Sequence, residues 1–139
     1  MGLTYANIEL TNQYDEYKVE EGLMQNDAIR RWQGKLMVDT GAIRMAINEE
    51  IKAQLGLKKG MMMNVSLADG STKSIELVGG IRVRFGERTC YTDAFVLEGN
   101  TEPLLGAIPL EGMDLAVIPS ENKLVYNPRH PEGALFSLK

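Results

Sequence analysis

The feature that most constrains the fold is an Asp-Gly turn between two runs of alternating residues. The runs cover residues 61–67 and 72–78, and Ala68-Asp69-Gly70-Ser71 joins them. This arrangement predicts a β-hairpin, because glycine adopts the positive backbone angle that a tight turn between two strands requires. The middle of the chain is therefore predicted to be β.

Short runs elsewhere also predict strands, separated by turn residues as is typical of β proteins. Residues 14–23 are predicted to form a partly exposed strand or an irregular excursion, and Gly79-Gly80 is predicted to end the central hairpin. The other predicted strands are residues 4–11, 29–38, 81–85 and 89–97, with a last hairpin at 115–118 and 123–126. These runs predict a mainly β fold class.

Two short helices are predicted between the strands. Asn48 is suited to cap a helix over residues 49–55, and Gly56 is suited to end it. An Asn side chain accepts from the free N–H groups of the first turn, and glycine adopts the left-handed conformation common at helix ends. The second predicted helix covers residues 108–113, with Pro109 near its start, where proline is tolerated.

The composition excludes several classes of function. A chain of 139 residues is most simply one domain with one core. Its net charge of −4, without a basic stripe, argues against a nucleic-acid partner. No apolar stretch approaches the roughly 20 residues of a membrane span, so we expect no membrane partner and a cytoplasmic location.

The single cysteine and the single histidine offer little chemistry. Cys90 has no partner for an internal disulfide and is expected to be a buried or half-buried strand residue, since free cysteine packs as a small hydrophobe. His130, in a polar tail, is expected to be a solvated loop residue. These two residues do not supply a metal-ligand set, so no metal and no other cofactor is predicted.

The tetrapeptide Asp-Thr-Gly-Ala at positions 39–42 is the strongest indication of chemistry. It follows the apolar run Leu-Met-Val at positions 36–38. A carboxylate at the end of an apolar strand, followed by a hydroxyl and a glycine, has its ionisation controlled by the local backbone, as a catalytic aspartate requires. The tetrapeptide is interpreted as half of an active site. It occurs once, in a chain too short for the two-lobed proteins that carry two copies, so the other half is expected from a second identical chain.

The order of these elements resembles that of the retropepsin-like aspartic peptidases, the single-domain family that includes retroviral proteases and their cellular and bacterial relatives. The motifs that carry the resemblance are Asp-Thr-Gly-Ala, a short helix ending in Leu-Gly-Leu at 55–57, the Asp-Gly hairpin, and Leu-Leu-Gly at 104–106 before a short helix. The resemblance implies a closed or partly open β-barrel with a flap hairpin and one or two short helices. Residues 1–126 would form the peptidase domain, and residues 127–139 a C-terminal tail that is a candidate for dimer contact. Residues 127–133 are expected to be the base of this mobile tail.

The resemblance also implies a role for each residue of the motif. Asp39 from each of two chains would form a dyad that activates water to hydrolyse a peptide bond of a polypeptide substrate. Thr40 would bond across the dimer axis, and Gly41 would let N–H groups approach the carboxylates. Ala42 brings no hydroxyl donor, so the dyad is expected to hold its proton to higher pH and to act at mildly acidic to near-neutral pH.

Other segments are predicted to support this site. Leu105 and Gly106 would hold the active-site loop from beneath. The flap over a bound peptide would be the hairpin tip, Ala68, Asp69, Gly70 and Ser71. The methionines at 61–63 are suited either to an adaptable apolar wall or to ordinary strand packing.

Two features depart from the retroviral pattern. Ile43-Arg44 stands where retroviral enzymes place acidic residues that bind substrate backbone, which suggests a dimer or substrate-carboxylate contact for Arg44. The extension at 127–139 is longer than the retroviral end, where interleaved termini form much of the dimer interface. The dimer interface of this chain therefore need not be built from interleaved termini.

The sequence leaves two alternatives to a homodimeric aspartic endopeptidase. One is a noncatalytic, peptidase-like dimeric module for peptide binding or assembly, in which Asp39 serves the loop structure. The other is an unrelated small β-barrel in which positions 39–41 form a simple turn, since Asp and Gly are common turn residues.

Overall fold

The computed structural model describes residues 2–138, which form a mainly β fold as predicted. The helices are α1 (Gln13–Glu20), α2 (Glu49–Leu55) and α3 (Ala107–Gly112), with 3-10 turns at Asn26–Ala28 and Pro119–Glu121. The strands are β1 (Thr4–Asn12), β2 (Arg31–Val38), β3 (Met45–Asn48), β4 (Met61–Ser66), β5 (Thr72–Phe85), β6 (Arg88–Leu97), β7 (Leu104–Leu105), β8 (Leu115–Ile118) and β9 (Lys123–Tyr126).

Six of the strands close into a barrel. The strand order is β1-β2-β7-β3-β6-β5-β4, and β1 also pairs with β5. This second pairing joins the two sides of the sheet and leaves β4 as an arm bonded to β5 alone among the strands of the described chain. β8 and β9 form a separate antiparallel pair. The predicted retropepsin-like architecture is confirmed.

The core fills the barrel with aliphatic side chains from facing strands. Along β1, Ala6, Ile8 and Leu10 are buried, and alternate positions between them are more exposed, as the two-residue period of a strand requires. Ile51 and Leu55 bury one face of α2 against this core. The α2 prediction is confirmed with both of its ends.

The prediction for residues 14–23 was wrong, because most of this segment forms α1. Asn12 caps the helix by accepting from the Asp15 N–H at 3.0 Å. Asp15 is fully buried and accepts from the Arg30 Nε at 2.9 Å and from the Arg30 backbone N–H at 3.0 Å. The Arg30 guanidinium holds the pKa of Asp15 below its usual range. The helix therefore depends on the ion pair between a buried carboxylate and a half-exposed guanidinium rather than on an apolar face.

The prediction that Gly79-Gly80 ends the hairpin was also wrong, because β5 continues through the pair. The register with β6 shifts between Val78 and Ile81, which marks a β-bulge where the strand bends without stopping. Gly80 has a φ of 79°, and a Cβ there would lie 2.3 Å from the Tyr14 ring. Only glycine fits this position.

The segment after β9 is bonded to the start of β8. Asp114 Oδ1 accepts from the Asn127 side chain at 2.9 Å, and its Oδ2 lies 2.6 Å from His130 Nδ1 and accepts from the Leu135 N–H at 3.1 Å. The pKa of Asp114 is lowered to about 2, most by the hydrogen bond from the Asn127 side chain and then by those with the Leu135 N–H and His130. His130 thus lies within hydrogen-bonding distance of Asp114 and is partly buried, contrary to the expectation of a solvated loop residue.

Candidate active site

The Asp39 loop begins where two parallel strands run side by side. β2 pairs with β7 so that Val38 lies opposite Leu105, and the Asp39 N–H donates to the Leu105 carbonyl at 2.9 Å. Asp39 Oδ1 accepts from the Gly41 N–H at 2.9 Å, and the Ala42 N–H donates to the Asp39 carbonyl at 3.2 Å. The Asp39 side chain is thereby held in a tight turn, and the residue stays half-buried.

The start of α3 holds the loop from a second direction. The Ala107 N–H donates to the Ala42 carbonyl at 2.7 Å, and the Ile108 N–H donates to the Ile43 carbonyl at 2.8 Å. The first N–H groups of a helix have no partner within the helix, so the loop carbonyls satisfy them. Each bond joins loop to helix through the backbone, independently of the side chains present.

Gly106 is required by the closeness of this contact. A Cβ at Gly106 would lie 2.3 Å from the Arg44 carbonyl oxygen and 2.9 Å from that of Ala42. Both distances are shorter than van der Waals contact with backbone atoms that cannot rotate away. The structure therefore brings Leu105 and Gly106 directly against the loop that carries Asp39.

Thr40 lies on the outer side of the loop, beside α3 and β8. Thr40 is exposed. It borders a shallow cavity of about 210 Å³, shared with apolar side chains of those elements. The other lining residues are Ala107, Leu110, Glu111, Leu115 and Val117. The loop thus has one face on the barrel and one toward this cavity.

The tip of the β4–β5 hairpin is bonded to itself. Asp69 Oδ1 accepts from the Ser71 hydroxyl at 2.5 Å and the Ser71 N–H at 2.9 Å, and these bonds lower the pKa of Asp69. The Gly70 N–H donates to the Leu67 carbonyl at 2.9 Å, and Gly70 has a φ of 86°. The tip, including Ala68, is exposed. The predicted hairpin is confirmed.

Two ion pairs tie this hairpin to the rest of the molecule. Lys52 of α2 donates to Glu76 at 2.8 Å, and Glu76 also accepts from the Gly60 N–H at 2.8 Å. Farther toward the tip, Lys73 donates to Glu98 at 2.7 Å. The first pair is mostly buried and the second is exposed.

A cavity of about 790 Å³ lies between the hairpin, α2 and the end of β6. Ala53, Leu57 and Met62 are among its lining residues, and Asp39 is not. Within the described chain, no hydrogen bond or ion pair joins the tip at 68–71 to the loop at 39–42. The structure thus unites the loop with its two supports and leaves the hairpin tip separate.

Arg44 has a partner that the sequence did not indicate. Its Nη1 donates to the two carboxylate oxygens of Asp93 at 2.9 and 3.1 Å, and its guanidinium lies 6.0 Å from the Phe95 ring centroid. Met45 pairs with Ala94 in the parallel β3–β6 ladder, which places Arg44 next to Asp93. Such a long-range pair follows from strand register, which no local motif specifies.

Cys90 lies half-buried in β6, as predicted. Burial raises the pKa of its thiol to about 11, and the thiol donates weakly to the Pro109 carbonyl at 3.8 Å. It is therefore a neutral packing residue at ordinary pH. Among the described residues, no group of three or more His, Cys, Asp or Glu side chains is placed to hold a metal ion. No helix in residues 2–138 has the length and apolar character needed to cross a membrane.

The family model of the gag-polyprotein putative aspartyl protease matches residues 28–111. The match begins just before β2 and ends within α3, so it contains the Asp39 loop, the hairpin and both supports of the loop. The chain belongs to this aspartyl protease family. The resemblance to retropepsin-like peptidases is confirmed. No curated protein matched the chain.

Proposed function

We propose that the protein is a homodimeric aspartic endopeptidase in which Asp39 of each chain supplies one carboxylate. The observation that supports this most is the double anchoring of the Asp39 loop, to the Leu105 carbonyl on one side and to the first turn of α3 on the other. Catalytic carboxylates need such fixed positions, because small displacements of a reacting group reduce the rate strongly.

In the proposed reaction, the two carboxylates share one proton. The ionised carboxylate accepts a proton from a bound water, the water oxygen bonds to the scissile carbonyl carbon, and the protonated carboxyl gives its proton to the carbonyl oxygen. The resulting gem-diol then breaks its C–N bond as the amine nitrogen gains a proton. The products are a new carboxyl terminus and a new amino terminus, with no covalent enzyme intermediate and no cofactor.

The hairpin tip at 68–71 is proposed to close over an extended polypeptide substrate. Closure would exclude water from the reacting atoms and would need the exposed Lys73–Glu98 pair to rearrange. The apolar side chains along the hairpin and α2, such as Met62 and Leu57, suit apolar substrate residues.

The proposed working pH is mildly acidic to near-neutral. Ala42 brings no hydroxyl next to the dyad, so no side chain at this position stabilises the charged form. The shared proton is therefore expected to remain bound to higher pH. An optimum confined to strongly acidic solution would contradict this.

The test compares wild type with Asp39→Asn on an unbiased peptide library. We expect cleavage to fall about a thousandfold or more, because an amide cannot accept or donate the required protons. Asp27→Asn, in the exposed 3-10 turn at Asn26–Ala28, is the matched control and should cleave normally.

The oligomeric state of all three proteins is measured by sedimentation. Unchanged cleavage by Asp39→Asn would reject the mechanism, and a wild type that stays monomeric at high concentration would reject the shared dyad. A wild-type dimer that cleaves nothing would favour the noncatalytic binding module.

A further inference from the structure

Arg44 binds its partner with one end of its guanidinium and leaves the opposite side open. Its Nη1 donates to both carboxylate oxygens of Asp93, and its Nε and Nη2 donate to no group in residues 2–138. Within the same part of the chain, the buried side-chain nitrogen and oxygen atoms without a partner are Glu16 Oε1 and Arg82 Nε. The two free nitrogens of Arg44 therefore reach the surface.

Arg30 shows what the open side of Arg44 is able to bind. The Nε and Nη2 of Arg30 donate side by side to the two oxygens of Asp15, each at 2.9 Å. These two N–H groups are parallel and match the spacing of carboxylate oxygens, which makes the contact strong and specific in geometry. Arg44 presents the same two groups to solvent. Its open side is therefore suited to a carboxylate from outside the chain.

The guanidinium of Arg44 is already held in position. Asp93 binds it at the Nη1 end, the Phe95 ring centroid lies 6.0 Å away, and the side chain is 33% exposed. A donor that is ordered in advance loses little conformational entropy on binding. A carboxylate on the Nε–Nη2 side would lie nearer to the guanidinium than to Asp93, so attraction would outweigh repulsion.

The order of the strands places Arg44 near the proposed reacting atoms. Gly106 follows β7, which runs between β2 and β3, so it lies between Asp39 after β2 and Arg44 before β3. Neighbouring strands are about 4.8 Å apart, so the backbones at Asp39 and Arg44 are about 10 Å apart. An extended peptide that crosses the ends of these strands covers this distance in about three residues. With its scissile bond at Asp39, it would bring a side chain two or three residues away within reach of Arg44.

We propose that Arg44 selects substrates with an acidic residue, Asp or Glu, two or three positions from the scissile bond. The inference rests on the proposed function and names a substrate class for it. A symmetric dimer presents Arg44 twice, so the preference is expected on both sides of the scissile bond.

The test uses matched peptides of the library that differ only by Glu or Gln at one position. Wild type should cleave the Glu peptide with a kcat/KM about tenfold higher, as one charge-assisted contact at a partly exposed site would give. Arg44→Lys keeps the charge without the two parallel donors and should retain a preference of about twofold. Arg44→Gln should remove the preference.

Two further variants control for folding and for charge. Arg44→Gln leaves Asp93 without its cation, so Arg44→Gln combined with Asp93→Asn, which replaces the ion pair by an uncharged pair, should also show no preference. Arg31→Gln is the matched control, because Arg31 pairs with Glu9 at the end of β2 farthest from Asp39. It should keep the wild-type preference.

Three results would overturn the role of Arg44. One is a preference for Glu that persists in folded Arg44→Gln or in the double variant. Another is an equal loss of preference in Arg31→Gln, which would show a general effect of charge. The third is a weaker dimer of Arg44→Gln with an unchanged preference, which would assign Arg44 to the dimer contact.

Binding of the same peptides to Asp39→Asn, measured by fluorescence anisotropy, separates this inference from the proposed function. Cleavage by wild type with equal kcat/KM for the Glu and Gln peptides would reject selection by Arg44 alone. Tighter binding of the Glu peptide, lost on adding Arg44→Gln, together with no cleavage by wild type, would support the Arg44 site and reject the endopeptidase. Equal binding of both peptides and no cleavage would reject both.

Discussion

The Asp39 loop and the hairpin tip are both tight turns that contain Asp and Gly, yet they are held in opposite ways. The loop is bonded through its backbone to β7 and to α3. The tip is bonded to itself through Asp69 and Ser71, and the outer part of the hairpin, before β5 joins β6 at Leu77, is connected to the rest of the chain by side-chain ion pairs. Backbone bonds from two elements fix a position, whereas long exposed side chains separate at little cost.

This difference matches the two tasks of the proposed enzyme. A carboxylate that exchanges protons must keep its place, and a flap must release its product.

The largest effect is expected from Gly106→Ala. The added Cβ would meet the Arg44 and Ala42 carbonyl oxygens at 2.3 and 2.9 Å and would displace the loop. Unfolding free energy should fall by about 1–3 kcal/mol, and kcat/KM by about a hundredfold. Chemical denaturation and peptide cleavage measure the two effects.

Gly133→Ala is the matched control, because a Cβ there has no atom within 4 Å and no positive φ is involved. It should be close to neutral in both measurements. If the two alanine variants behave alike, the loop is less rigidly held than proposed.

Ala42→Ser tests the loop without displacing it. A hydroxyl next to the dyad would donate to the charged carboxylate and lower the pKa at which the pair loses its shared proton. The pH optimum should therefore move downward, by roughly one unit for one charge-assisted hydrogen bond. A pH profile of kcat/KM on one peptide decides this, and an upward shift would contradict it.

Lys52→Met removes the buried connection between α2 and the hairpin. The carboxylate of Glu76 would keep the Gly60 N–H and lose its cation, so unfolding free energy should fall by about 1 kcal/mol near pH 7. The Lys52 hydrogen bond is the main cause that lowers the pKa of Glu76. Its stabilisation is therefore present above the ordinary value of 4.5 and is lost as the pH falls through the lowered pKa. The variant should lose less stability than wild type over that acid range.

The smallest effect is expected from Lys73→Met, which breaks the exposed pair with Glu98. Unfolding free energy should change little, and by less than in Lys52→Met, because an exposed ion pair is screened by water. Wild type and Lys73→Met should also differ little in 1 M salt, where the pair is screened. A loss equal to that of Lys52→Met would show that the two connections are equivalent.

Local signals predicted local structure well. The Asn48 cap with Gly56, the Asp-Gly turn and the final hairpin all lie where the sequence placed them, because each depends on residues within a few positions. α1 was missed because its stability comes from the pair between the buried Asp15 and the half-exposed Arg30 and not from an apolar period.

For the candidate site too, the sequence predicted the local features and missed the long-range ones. The sequence indicated the Asp39 loop and placed Gly106 beneath it, and the backbone bonds and close approach explain why. It did not indicate the Arg44–Asp93 pair or the bonds of Asp114 with the tail, which join residues brought together by strand register. The proposed closure of the hairpin tip over a substrate involves groups outside a single chain.

The continuity of β5 determines how movement of the hairpin would reach the barrel. One strand belongs to both, and the bulge at Gly79-Gly80 is its bend, with the ring of Tyr14 packed against Gly80. The hairpin therefore has no loop hinge on this side. Its motion must bend a strand that is bonded to β1 and β6, so the direction of motion is set by the backbone, and α1 contacts that strand through both the Tyr14 ring and the Glu16–Arg82 ion pair.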